Sequence, residues 1–254
     1  QNGKPIFSED KLVVTNNVTV NPVRKVVRDL KLNVLMPSSN AMALNLTGER
    51  LDDWETKRHF TNFVMKLDYD LEKLWPIVKP MLSAEQQTSY ADLQPIGKYS
   101  RTFTIAGAYP AAMTWQESLK SLVVDGGIGA AFELPSKGLS LSSFDRPFKL
   151  KDGILTTGSA ETNPKVAILN GGALNTNNLT IDLTGPTPRL STPGNKRLLR
   201  GVQVPPLMAQ TFLAKSIPLF GGKSDAGSLD VTFAECNRLP LGALMTVPRD
   251  PVTG

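Results

Sequence analysis

Cysteine and histidine are almost absent: Cys236 and His59 are the only examples among 254 residues. A single cysteine excludes an internal disulfide and any cysteine-based zinc site. A catalytic triad or histidine-based metal centre would have to rest on His59 alone. That residue follows the basic pair Lys57-Arg58 and reads as exposed, while Cys236 has no activating neighbour in sequence. The motifs of nucleotide chemistry are missing as well. "GGKS" (221–224) has Ile217 where a phosphate loop needs glycine, and "GGIGAAF" (126–132) has Phe132 where a dinucleotide fingerprint needs one. No G-x-S-x-G nucleophile elbow occurs. Asp68-Tyr69-Asp70 sets two carboxylates close together, but a strand end followed by a helix cap accounts for both. The expectation is a protein that is not an enzyme and has no metal and no cofactor.

Long runs of one character are absent too. No stretch reaches the roughly 18 apolar residues of a membrane-spanning helix. Lysine and arginine never run beyond a pair, and no aromatic-basic fingerprint is present, so nucleic acid is not an expected partner. The net charge of +5 suits solubility, with attraction to an anionic membrane surface as the alternative. The opening "QNGKPIFSEDKL" has neither initiator methionine nor signal peptide, so the chain reads as a piece of a longer protein.

What the sequence does have is alternation. "FVMKLDY" places Phe63, Met65, Leu67 and Tyr69 on one side of a strand, and "SRTFTIAG" does the same with Phe103 and Ile105. In "LTIDLT" (179–184), Leu179, Ile181 and Leu183 oppose Thr180, Asp182 and Thr184. "GSLDVTFAE" (227–235) repeats the pattern with Leu229, Val231 and Phe233. Glycine (20) and proline (19) punctuate these runs, as an antiparallel meander requires. The predicted fold is therefore mainly β: an antiparallel sheet that either keeps an open groove, the extended curved form that the resemblance described below implies, or closes as a β-sandwich.

Two segments depart from period 2. In "DLEKLWPIVKPMLS" (70–83), Leu71, Leu74, Trp75, Val78 and Leu82 fall at helical spacing behind Asp70 as N-cap. Pro76 and Pro80 predict a short, kinked helix. The polar residues 84–98 read as loop. A second short helix is expected over "PPLMAQTFLAKSI" (205–217), with Leu207, Met208, Phe212 and Ile217 on its apolar side. Each helix leads into a polar loop, a glycine and a strand, which suggests a weak internal duplication around 60–110 and 200–247.

The run "KDGILTT" (151–157), followed by "LNGGALNTNNLTIDLTG" (169–185), resembles the C-terminal region of AsmA-like, TamB-related bacterial envelope proteins, in a planctomycete-type variant. "YDLEKLWPIVKPMLS" (69–83) and "FLAKSIPLFGGKSDAGSLDVTFAECNRLPLG" (212–242) are similar to the same group. The resemblance implies one elongated β domain over 1–254, folded like a taco around an apolar groove. It further implies a periplasmic protein, anchored in the inner membrane through a preceding part, that carries phospholipid between membranes. The two proline-interrupted helices depart from that pattern.

Physical chemistry leads to the same choice by another route. An apolar sheet face must be covered, and two short helices cannot cover about a dozen strands of roughly 17 Å each. Acyl chains would serve as cover, because each buried methylene contributes about 0.8 kcal/mol without needing a hydrogen bond. The expected partner is thus phospholipid or another acyl-chain lipid. The groove-facing candidates are Phe63, Met65, Leu67, Phe103, Ile105, Leu179, Ile181, Leu183, Leu229, Val231 and Phe233. A structural or interaction sandwich module would fill the same face with protein instead.

Overall fold

The computed structural model describes residues 9–109, 112, 115–158, 166–185, 187–213, 227–234 and 236–240. Strand makes up 59% of it, and all described strands belong to one open antiparallel sheet of 16. The mainly-β expectation holds, and the closed sandwich is not what forms.

The first part is a meander. Strands β1 (Val13–Asn21), β2 (Val26–Leu35), β3 (Met42–Asp52) and β4 (His59–Asp70) pair in sequence order. Helices α1 (Leu71–Val78) and α2 (Ala84–Ser89) and the short β5 (Gln94–Pro95) then intervene. β6 (Lys98–Ala108) returns to pair with β4. Beyond it lie α3 (Trp115–Leu119), β7 (Leu122–Leu134) and β8 (Leu139–Lys151), the two strands continuing the sheet.

At β8 the sheet forks. Phe148–Lys151 pair with β9 (Ile154–Thr157), which leads to β12 (Leu179–Asp182), β13 (Arg189–Thr192) and β16 (Cys236–Pro240). Leu141 and Ser142 pair instead with β10 (Ala167–Leu169), which leads to β11 (Gly172–Leu174), β14 (Lys196–Val204) and β15 (Gly227–Phe233). Both branches start with a two-residue hairpin whose sequence demands it. Asp152-Gly153 (φ 55° and 74°) joins β8 to β9, and Asn170-Gly171 (φ 43° and 75°) joins β10 to β11. Positive φ at both turn positions matches the right-handed twist of the strands, and Asp-Gly and Asn-Gly reach it cheaply.

The predicted kinked helix is present. Asp70 caps α1 by accepting from the Lys73 N–H at 3.4 Å, Pro76 lies within it, and a 3-10 turn (Lys79–Met81) follows. Residues 84–98 are not all loop: α2 forms there behind a capping box, in which Ser83 accepts from the Gln86 N–H and Gln86 accepts from the Ser83 N–H. The second predicted helix starts at α4 (Pro206–Met208) and continues as a π-helical turn over Ala209–Leu213. Leu207 is exposed there while Met208 is buried, a correction to the expected apolar side. Ile217 and residues 214–226 lie outside the described residues, as does "GGKS". The buried clusters are small. Met36, Ala41 and Ile77 form one beneath α1, and Val204, Met208 and Ala209 form the other.

Candidate functional site

Strand register sorts the side chains into faces, because directly paired residues project to the same side. One row runs Phe63, Ile105, Val124, Leu150, Leu155, Ile181, Leu190, Leu239, from β4 to β16. Every member is apolar. The neighbouring row on the opposite face runs Thr104, Asp125, Lys149, Thr156, Thr180, Ser191, all polar, with Lys149 and Asp125 3.5 Å apart. Phe63, Leu150 and Leu190 are buried although no second sheet exists among the described strands.

Most of the predicted residues meet on that side. Met65 pairs with Phe103, and Leu67 pairs with Arg101. Phe103 reaches over β7 to Phe148, their ring centroids 6.1 Å apart, and Phe148 shares a row with Thr157 and Leu179. Leu183 lies just past β12, tied by its N–H to the Gly153 carbonyl at 2.9 Å. The β15 residues stand apart in the other branch. Val231 pairs with Leu199 and Phe233 with Lys196, while Leu229 packs against the Val204–Met208–Ala209 cluster.

Near α1 the apolar face deepens into a cavity of about 360 Å³, walled by Leu67, Leu71, Leu74, Phe103, Ile128 and Phe148. The glycines of "GGIG" make it possible. A Cβ on Gly126 would sit 2.3 Å from the Phe103 ring, and one on Gly129 would sit 2.0 Å from the Tyr99 ring. The residues that fail as a nucleotide motif thus serve as a low crossing for aromatic rings. The Tyr69 hydroxyl replaces ladder bonds at this point, donating to the Gly129 carbonyl at 2.7 Å and accepting from its N–H at 3.1 Å. Tyr99 stacks on Tyr69 at 5.4 Å, and burial, then Tyr69 itself, pushes its hydroxyl pKa up.

Charge enters the same side at the fork. No ladder pair joins Ser143–Pro147 to either branch, and Arg146 lies within this gap, 98% buried. Its Nε donates to the Thr176 hydroxyl at 3.0 Å and its Nη1 to the Asp145 carbonyl at 2.7 Å, while Nη2 is buried without a partner among the described residues. Lys196, also buried, donates to Asn175 Oδ1 at 2.9 Å. Burial, and next the Arg146 charge, holds the Lys196 ammonium below its ordinary pKa. The Asp145 carboxylate pairs at 2.8 Å with Arg101. Among the described residues, neither Arg146 nor Lys196 has an ion-pair partner.

The sequence reading passed over Arg101 and Arg146, yet both carried a signal. Arg101 has the parity of Phe103 and Ile105, and Arg146 that of Phe148 and Leu150. A cation at an inward position of an alternating strand is the anomaly to look for. His59 is exposed at the start of β4, and Cys236 is buried at the start of β16. Among the described residues no cluster of metal-ligating side chains occurs, and no helix is long and apolar enough to cross a membrane. Comparison of the chain with protein-family models, curated proteins and solved structures finds no match to any of them.

Proposed function

We propose that the chain is a lipid-binding, lipid-transport segment of a bacterial cell-envelope protein of the AsmA-like kind, its apolar face holding phospholipid acyl chains. The observation that carries this reading is the uninterrupted apolar row from Phe63 to Leu239, on one side of a sheet that has no second sheet opposite it among the described strands. An apolar face of that extent needs cover, and acyl chains supply it through dispersion and the hydrophobic effect alone. Work in the periplasm, with membrane attachment through another part of the protein, belongs to the same proposal.

The test is native mass spectrometry of the purified chain, run beside thermal melting, on wild type and two variants. Ile181 stands between Leu155 and Leu190 in the apolar row, whereas Thr180 stands between Thr156 and Ser191 in the polar one. Wild type is expected to carry phospholipid. Ile181→Asp should lose it with only a modest drop in Tm, and Thr180→Asp should keep it. Lipid-free wild type together with a collapsed Ile181→Asp melt would overturn the proposal. It would mean that protein packs on this face and that the carboxylate is trapped unpaired.

A further inference from the structure

We propose that the fork of the sheet is a phosphate site, formed by Arg146, Lys196 and Asn177, that holds the headgroup of an anionic phospholipid lacking an ammonium group. This rests on the reading of the apolar face as an acyl-chain surface and adds to it which lipid is selected. Three observations carry it.

The first is unmet donors. Arg146 Nη2 and Asn177 Nδ2 are both buried with no acceptor among the described residues, in residues that are 98% and 96% buried. Buried donors are nearly always paired in folded proteins, so each points to a missing acceptor. The second is that one short turn gathers them. Asn175 accepts from Lys196, Thr176 accepts from Arg146, and Asn177 follows directly. The third is charge in excess. Two buried cations share the fork, neither in an ion pair among the described residues, and Asp145, whose charge acts on Arg146, is itself paired with Arg101. Burying charge unpaired is costly, and a phosphate oxygen would meet the guanidinium and the ammonium with short, charge-assisted bonds. A headgroup ammonium would add a further cation beside Arg146 and Lys196, where Asp145 is already engaged by Arg101.

Placement suits an amphipathic ligand. Phe148, next on the same side of β8 after Arg146, walls the apolar cavity, as does Ile128, the register partner of Arg146. A phosphate at the fork would therefore leave its acyl chains beside apolar walls. Ser143–Pro147 carry no ladder pair toward the branches, and the Gly158 N–H, just past β9, donates to the Pro147 carbonyl at 2.8 Å.

The experiment measures binding of four soluble probes below their aggregation limits: dihexanoyl phosphatidic acid, dihexanoyl phosphatidylcholine, dihexanoylglycerol and inorganic phosphate. Wild type is compared with Arg146→Met and Lys196→Met, each checked by melting. Methionine keeps the bulk and removes the unpaired charge, so folding should be preserved. The expected result is phosphatidic acid bound about tenfold or more tighter than phosphatidylcholine, as charged hydrogen bonds allow. Each variant should shrink that ratio to about twofold while leaving dihexanoylglycerol binding unchanged. A preference that persists in both variants, or none in wild type, overturns the headgroup site. Failure of dihexanoylglycerol to bind wild type instead overturns the acyl-chain reading. If inorganic phosphate alone then still binds in a variant-sensitive way, the fork is a free-phosphate site and the lipid assignment is overturned.

Discussion

Gly129 has no room for a methyl group. Its absent side chain is what lets the Tyr99 ring lie across β7, and a Cβ there would also come within 2.5 Å of the Arg101 guanidinium. Neither neighbour can yield freely. Tyr99 is stacked on Tyr69, Tyr69 is tied to Gly129 itself, and Arg101 is held by Asp145. Gly129→Ala should therefore behave as an overpacking change and cost about 2–3 kcal/mol, read as a lowered urea midpoint. Adding Tyr99→Ala to that variant should recover part of the loss, because it removes the ring the methyl group strikes. An alanine at 129 with an unchanged midpoint would show that the rings can move aside. By contrast, His59 is exposed at the start of β4.

The elements show where sequence reasoning succeeds and where it lacks a signal. Strands β4, β6 and β12 of the apolar row are legible because each alternates with little interruption, as Phe63, Met65 and Leu67 do in β4, whereas β13 is a four-residue strand between prolines that carries no such signal. Their register was not legible, since nothing within "ILTT" says that Leu155 will stand between Leu150 and Ile181. The fork was hidden for the same reason: one strand, β8, serves two neighbours, and only the bulge between Ala130 and Phe132, with Ser143 at φ 55°, separates the halves. Helix α2 was missed because it has no apolar stripe, although Ser83-Ala84-Glu85-Gln86 spells a capping box. With no buried residue, α2 depends on that cap. Ser83→Ala should cost it about 1 kcal/mol. The loss should appear as faster hydrogen exchange confined to Gln87–Tyr90, with no change in the exchange of β6 amides. The charged part of the candidate site was masked by a different rule. Inward apolar residues announce themselves, whereas an inward Arg101 or Arg146 has the look of any polar residue in an alternating strand.

At the level of the whole molecule, the open sheet has two regimes of connectivity. From β1 to β4, each strand pairs with the one made just before it. The branches do otherwise: Thr192 pairs with Cys236, and Arg197 with Thr232. Closing those long loops costs entropy before any contact repays it, so such pairings form late. The fork consequently sets an order of assembly. The meander can zip from its first hairpin as the chain emerges, whereas neither branch can finish until the last described strands have been made. Pulse-labelled hydrogen exchange during refolding should find amides of β2, β3 and β4 protected first, with those of β13 and β16 following in a distinct slower phase. Simultaneous protection would show that the sheet folds as one unit. If the order holds, Arg146 and Lys196 are fixed together only in that final phase, because Lys196 opens β14 at the end that pairs with Phe233 of β15, while β11 pairs only with Leu199 and Arg200. A nascent chain would then offer its apolar row before its paired cations, and would gain discrimination between ligands only at the end of folding.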